Sequence, residues 1–190
     1  NYKDLISSFG ITNKLLGHVR NINYESKNED LYKDDPTSEM FGAAGLLSSI
    51  NLEKNINQSI HTLTPKVFLR YALGSMRKET SGSRLEPLTA FSMDRLNNIR
   101  NFETGLNTAV GFDYSVSENN YNKFDFSIAQ IINSKENKMM SSESSMDEKM
   151  SDLVGKISLG NDKTNLTYNF NVDQNYKELN YNELTASYNL

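Results

Sequence analysis

The chain of 190 residues has no cysteine. Disulfides, thiolate metal centres and cysteine nucleophiles are therefore excluded. The compartment is left open, because exported proteins also do without cysteine. There are two histidines, His18 and His61, set far apart and outside any H-E-x-x-H pattern, so each reads as a surface or lumen histidine rather than a zinc ligand or general base. No nucleophile–base arrangement, glycine-rich phosphate loop or carboxylate dyad stands out, and neither enzymatic activity nor a cofactor is expected. No basic stripe marks a nucleic-acid surface. No apolar run approaches the ~20 residues of a membrane-spanning helix. That excludes helical membrane proteins and leaves β-barrels untouched, since these cross with short alternating segments. The sequence opens at Asn1 with no methionine and no charged-then-apolar leader, which predicts a piece of a longer polypeptide.

What is present is a modest hydrophobic content of 37%, aromatics at 10%, a net charge of −4 and 25 asparagines. Asparagine favours turns and disfavours helices. Period-2 alternation recurs along the chain and predicts strands. In "GLNTAVGFDYSV", Leu106, Thr108, Val110, Phe112, Tyr114 and Val116 share one face, with Asn107, Ala109, Gly111, Asp113 and Ser115 opposite. "TNLTYNFNVD" sets Leu166, Tyr168, Phe170 and Val172 against Asn165, Thr167, Asn169 and Asn171. "PKVFLRYAL", "KFDFSIAQII", "DLVGKISL" and "NELTASYNL" behave alike, the last running to Leu190. "ITNKLLGHVRNINYES" alternates loosely. "EMFGAAGLLSSINL" is read as a strand because Gly42 and Gly45 disfavour a helix interior.

The links between these segments sort by length. Residues 27–38, 75–101 and 136–150 are long and polar; residues 54–62, 117–122 and 160–163 are short. A membrane barrel has such an arrangement, with short turns at one rim and long loops at the other. Strands of ~9–11 residues match a bilayer when tilted. The expected fold is all-β: an antiparallel up-and-down meander of about eight strands, an arc of a large outer-membrane barrel. Alternation alone equally allows a soluble β-sandwich that binds carbohydrate or protein, and the barrel reading equally allows a porin or another transporter.

Three blocks carry a family resemblance: "TPKVFLRYALGSMR" (Thr64 to Arg77), "FSMDRLNNIRNFETGLNTAVGFDY" (Phe91 to Tyr114), and "DEKMSDLVGKISL" with the later "NVDQNYKELNYNE". Together they resemble the carboxy-terminal barrel of the LptD family of lipopolysaccharide-assembly proteins, in its alphaproteobacterial type. The resemblance implies a very large barrel plugged by an LptE-like lipoprotein. It implies lipopolysaccharide delivered through an LptA-like periplasmic bridge and a jellyroll domain, then released sideways into the outer leaflet through a gate. The outer membrane, with its lipid, would be the setting. On this reading residues 1–190 form a partial transmembrane β-barrel domain, about a third of the whole, with the jellyroll absent and no match to either gate strand. The family's disulfide cysteines are missing, so either this lineage dispenses with them or they lie outside this stretch.

Arg70 sits opposite Val67, Leu69 and Tyr71 and should face the lumen, because arginine towards lipid at the midplane costs ~2–4 kcal/mol. Asp94, Arg95 and Glu103 are the densest polar constellation. The resemblance places their segment in or near a loop that folds toward the lumen, where they would form either an internal ion-pair network or a set of solvated loop charges worth ~0–1 kcal/mol each. Met139, Met140, Met146 and Met150 fall in one loop, as soft-metal ligands or as filling. Tyr114, Tyr121, Tyr176 and Tyr181 lie near strand ends, as an aromatic girdle or as ordinary turn-flanking residues.

Overall fold

The computed structural model describes residues 3–6, 10–30, 32–79, 84–96, 98–118 and 122–189. Tyr121 and Leu190 lie outside them. The described residues form one antiparallel sheet built from β1 (Lys3–Ile6), β2 (Ile11–Tyr24), β3 (Thr37–Ile50), β4 (Leu52–Ile56), β5 (Ser59–Leu73), β6 (Gly105–Glu118), β7 (Asn122–Asn133), β8 (Leu153–Gly160), β9 (Thr164–Val172) and β10 (Leu179–Tyr188). Consecutive strands pair, except that β3 and β4 both pair with β5, so the topology is up-and-down. Ser49 pairs with Lys66 and Leu52 with Leu63, three positions further along each strand, so the register runs straight from β3 into β4. Pro65 lies opposite the junction, and its missing N–H removes the ladder bond there. Counted with that junction closed, the meander has nine strands. The stretch rich in small residues from Glu39 to Leu52 is strand apart from Asn51 at the junction, as its glycines predict.

The connections sort cleanly between the two rims. Asn57-Gln58 and residues 161–163 make short turns at one rim, where β6 also passes to β7; β2–β3, β5–β6, β7–β8 and β9–β10 are connected at the other rim. Asn57 turns the first with φ 55°. Asn161 holds the last, its Oδ1 accepting from the backbone N–H groups of Lys163 (2.9 Å) and Thr164 (2.8 Å).

Residues directly opposite in an antiparallel ladder share a face, so the registers assign every strand side chain. The outward face carries Val67, Leu69, Tyr71, Leu106, Phe112, Phe126, Ile157, Tyr168 and Leu184. It is bare: Val19 is 74% exposed, Met40 71% and Leu184 65%. From β2 to β10, the charged outward residues among those described are Lys54 and Glu118, both close to the short-turn rim. Lys14, Arg20, Glu39, Lys66, Arg70, Asp113, Asp125, Lys156 and Glu183 all face inward. Outward polar side chains are satisfied across strands: Ser48 donates to Asn13 Oδ1 (2.6 Å) and Ser38 to Asn21 Oδ1 (3.0 Å).

The inward face is not of one kind along its length. Its long-loop half is dry. The described residues of 74–104 and residues 134–152 fold back over it and close a core of Phe68, Leu85, Ala90, Leu96, Ala109, Ile131, Met140, Met146 and Val154. A second cluster gathers Ile22, Phe41, Ala72 and Phe102. Loops carrying apolar side chains can bury them only against another surface, and the inner wall is the one within reach.

Candidate functional site

The site is the seam where the 74–104 loop meets the inner wall. Gly74 has φ 135°, a backbone region that favours glycine, and the Phe41 ring packs against it as the chain leaves β5. At Gly45 a side chain would collide with the Phe68 ring and with Met93 of the loop. The described part of the loop contains one short helix, α1 (Pro87–Ala90), entered through Glu86 and opened by Pro87.

Arg70, on β5, is fully buried. Its Nε donates to the Met93 carbonyl (2.8 Å) and its Nη2 to the Glu103 carbonyl (2.6 Å). Arg95 grips the Glu103 carboxylate with two bonds, Nε to Oε2 (2.7 Å) and Nη2 to Oε1 (2.5 Å). Asn107 Nδ2 donates to the same Oε1 (3.1 Å), and Arg70 Nη1 lies 3.7 Å from it. One carboxylate therefore serves two buried guanidinium groups, a geometry in which the paired form is strong and either partner alone is costly.

Asp94 belongs to a different pair. It binds Arg20 of β2 at 2.5 Å, while Arg20 Nη1 donates to the Asn101 carbonyl (2.9 Å). Between these two groups lies Phe102, fully buried. His18 stacks on its ring (centroids 5.0 Å apart, 17° between planes), and the guanidinium groups of Arg70 and Arg20 sit 5.2 and 5.3 Å from its centroid. Arg77 forms a third anchor. It pairs with Glu39 and lies 4.8 and 4.6 Å from the rings of Tyr24 and Tyr32, tying the 25–36 loop to the 74–104 loop. Asn101 Nδ2 donates to the Arg77 carbonyl (2.9 Å) and to Glu79 Oε2 (3.0 Å).

Arg70, Arg95 and Glu103 thus come together, and Asp94 stands one pair away. Sequence reasoning missed Arg20, Arg77, Glu39 and Phe102. Inward parity on β2 and β3 was the available signal for Arg20 and Glu39; Phe102 and Arg77, in the loop, had none. Of the methionines, Met140 and Met146 are core and Met139 is exposed. Among the described residues no group of three or more His, Asp or Glu is placed to hold a metal ion. His61 Nδ1 lies 2.7 Å from the Tyr114 hydroxyl on the outward face. Tyr181 faces inward beneath Arg84, so it is no part of an outward girdle. Tyr176 donates to Gln130 Oε1 (2.9 Å).

Away from the seam, towards the short turns, the inner wall is polar. Ser115, Asp125, Ser158, Thr167 and Thr185 form one cross-strand row; Asp113, Ser127, Lys156, Asn169 and Glu183 form the next. Lys66 pairs with Asp113 at 2.5 Å and lies 4.6 Å from the Phe91 ring centroid.

A single sheet with a charge-free outward belt and loops turned into its concavity is an arc of β-barrel wall of the outer-membrane kind. The family model described as LptD, LPS transport system D, matches residues 6–190, and the chain belongs to that family. Membership gives it a role in lipopolysaccharide transport. Comparison with curated proteins returns no match.

Proposed function

We propose that this chain is a section of an outer-membrane translocon that inserts lipopolysaccharide into the outer leaflet, moving its cargo by conduction and lateral release, without covalent chemistry. The observation that carries this reading is the sorting of charge across the strands. In hydrocarbon, an outward lysine or arginine costs ~2–4 kcal/mol at the midplane and little near the rims. Lys54 and Glu118 sit at the rim, and the other charged strand side chains of β2 to β10 point inward. The acyl part of the cargo suits the outward face and its saccharide suits the hydroxyl- and amide-rich inner wall.

The sheet ends at β1 and β10, and a sheet edge cannot face lipid unpaired. Further strands of the same barrel close it on this reading, with residues 1–190 forming one partial barrel domain and a jellyroll domain lying elsewhere in the polypeptide. The Arg70–Glu103–Arg95 cluster and the Arg20–Asp94 pair hold the 74–104 loop in the lumen, where it narrows the space open to cargo. An LptE-like lipoprotein plugs the remainder, and an LptA-like bridge supplies cargo through the jellyroll.

Full-length protein should fractionate with outer membranes, shift on gels only after heating, and co-purify with an LptE-like lipoprotein. Free solubility without detergent would overturn the barrel. A heat-modifiable barrel that brings down no such lipoprotein would leave the barrel standing and remove the assembly role.

A further inference from the structure

The inward helix α1 does not touch the inner wall everywhere. Beneath it, between β5 and β8, is a cavity of about 520 Å³ with Pro87 and Leu88 as its roof. Its size lies within the range of small-ligand sites. Four inward hydroxyls line it: Thr64 donates to Asn51 Oδ1 (3.1 Å) and Ser158 shares a bond with Thr167 (3.3 Å), while Ser115 and Ser127 can each both donate and accept. Four charges line it too, and they balance: Lys66 and Lys156 against Asp113 and Asp125. Leu88 is 82% exposed although its loop is anchored on both sides, so an apolar side chain is held out over a polar floor.

We infer that this cavity is a subsite for an uncharged sugar of the lipopolysaccharide core as it passes along the inner wall, an inference that rests on the transport role proposed above. A sugar ring has hydroxyls at its edge and C–H groups on its face. The edge needs donors and acceptors in alternation, which the Ser115 and Ser127 hydroxyls, the Asp125 carboxylate and the Lys156 ammonium supply. The face needs an apolar contact, which Leu88 and Pro87 supply. A phosphate or carboxylate suits the cavity poorly. Lys66 is already committed to Asp113, and Lys156 stands diagonal to Asp125 on the neighbouring strand, so the site has no surplus positive charge to offer an anion.

The test is photo-crosslinking in the full-length protein within its outer-membrane complex, with the photoreactive residue at Ser127 in the cavity and, separately, at Thr185 on the open wall. Ser115 serves as a second cavity position should the first variant fail the heat-modifiability check. The probes are lipopolysaccharide with a complete core and lipopolysaccharide truncated to lipid A with its acidic inner sugars. The cavity position should label the complete form, and labelling should fall about tenfold with the truncated form, the effect of losing one or two net hydrogen bonds. Labelling at Thr185 should be equal for both. Equal labelling of both forms in the cavity overturns the sugar subsite, and so does labelling at Thr185 with none in the cavity. No labelling by lipopolysaccharide at either place overturns the transport reading beneath it.

Discussion

The inner wall has two halves built from the same strands. Near the long loops it is dry: Phe41, Phe68 and Phe102 are fully buried, and arginines cross from wall to loop. Near the short turns it is a polar surface of Ser115, Ser127, Ser158, Thr167 and Thr185. Alternation is equally good in both. The difference comes from what covers them, because the long loops can reach back over the wall and the short turns cannot. One half becomes a foundation for a fixed insert, and the other is left uncovered.

The largest expected effect attacks the dry half. Glu103→Gln leaves Arg70 and Arg95 buried without a counter-charge, at a cost of about 3–5 kcal/mol. Urea unfolding of the full-length protein in detergent micelles should show it, together with new protease cuts within residues 74–104. An unchanged midpoint would mean the loop is a loose cover. Phe102→Ala removes the ring shared by His18, Arg20 and Arg70 and should cost about 3–5 kcal/mol, read in the same way. Ser158→Ala in the polar half should move the midpoint by less than about 0.5 kcal/mol.

The contrast between faces sharpens next. Val67→Arg places a cation on the outward belt and should cost about 2–4 kcal/mol. Thr167→Arg, towards the polar inner wall, should be nearly neutral. Equal costs would dissolve the two-solvent account. A smaller effect is expected of Arg77→Ala, which removes cation–π contacts with Tyr24 and Tyr32 worth about 0.5–1 kcal/mol each. Hydrogen exchange in residues 25–36 should quicken while the Glu103 region stays protected.

The smallest effects are those of pH on the 173–178 turn. The Asp173 carboxylate accepts backbone N–H bonds from Glu178, Lys177 and Asn175, which hold it below its ordinary 3.8. Its contribution is therefore present above 3.8 and lost as pH falls through the lowered value. Burial pushes Asp152 up, opposed by the Asn180 amide and assisted by the Asp173 charge. Its contribution runs the other way, complete below 3.8 and lost as pH rises through the raised value. Protection of the Lys177 and Glu178 amides, relative to an unstructured peptide at the same pH, should fall on acidification, and Asp173→Asn should abolish that response. Asp152→Asn should leave it in place.

The sequence by itself determined the strands, their faces and the sorting of connections by length. Those are local properties: the pleat repeats every two residues, so each segment records which of its sides is charge-free. β2 was hard to read because both its sides are mixed. Leu16 and Ile22 lie inward beneath the loop, while Asn13 and Asn21 lie outward in hydrogen bonds to β3. The blocks around Arg70 and Glu103 were distinctive enough to resemble the family that residues 6–190 prove to match. The tertiary structure alone decided that Asp94 belongs to Arg20, 74 residues away, and that Arg77 binds Glu39 and two tyrosines. It alone decided which half of the wall is dry. Such pairings depend on where a long loop lands, and no local periodicity encodes the landing place of a chain that must first cross the concavity.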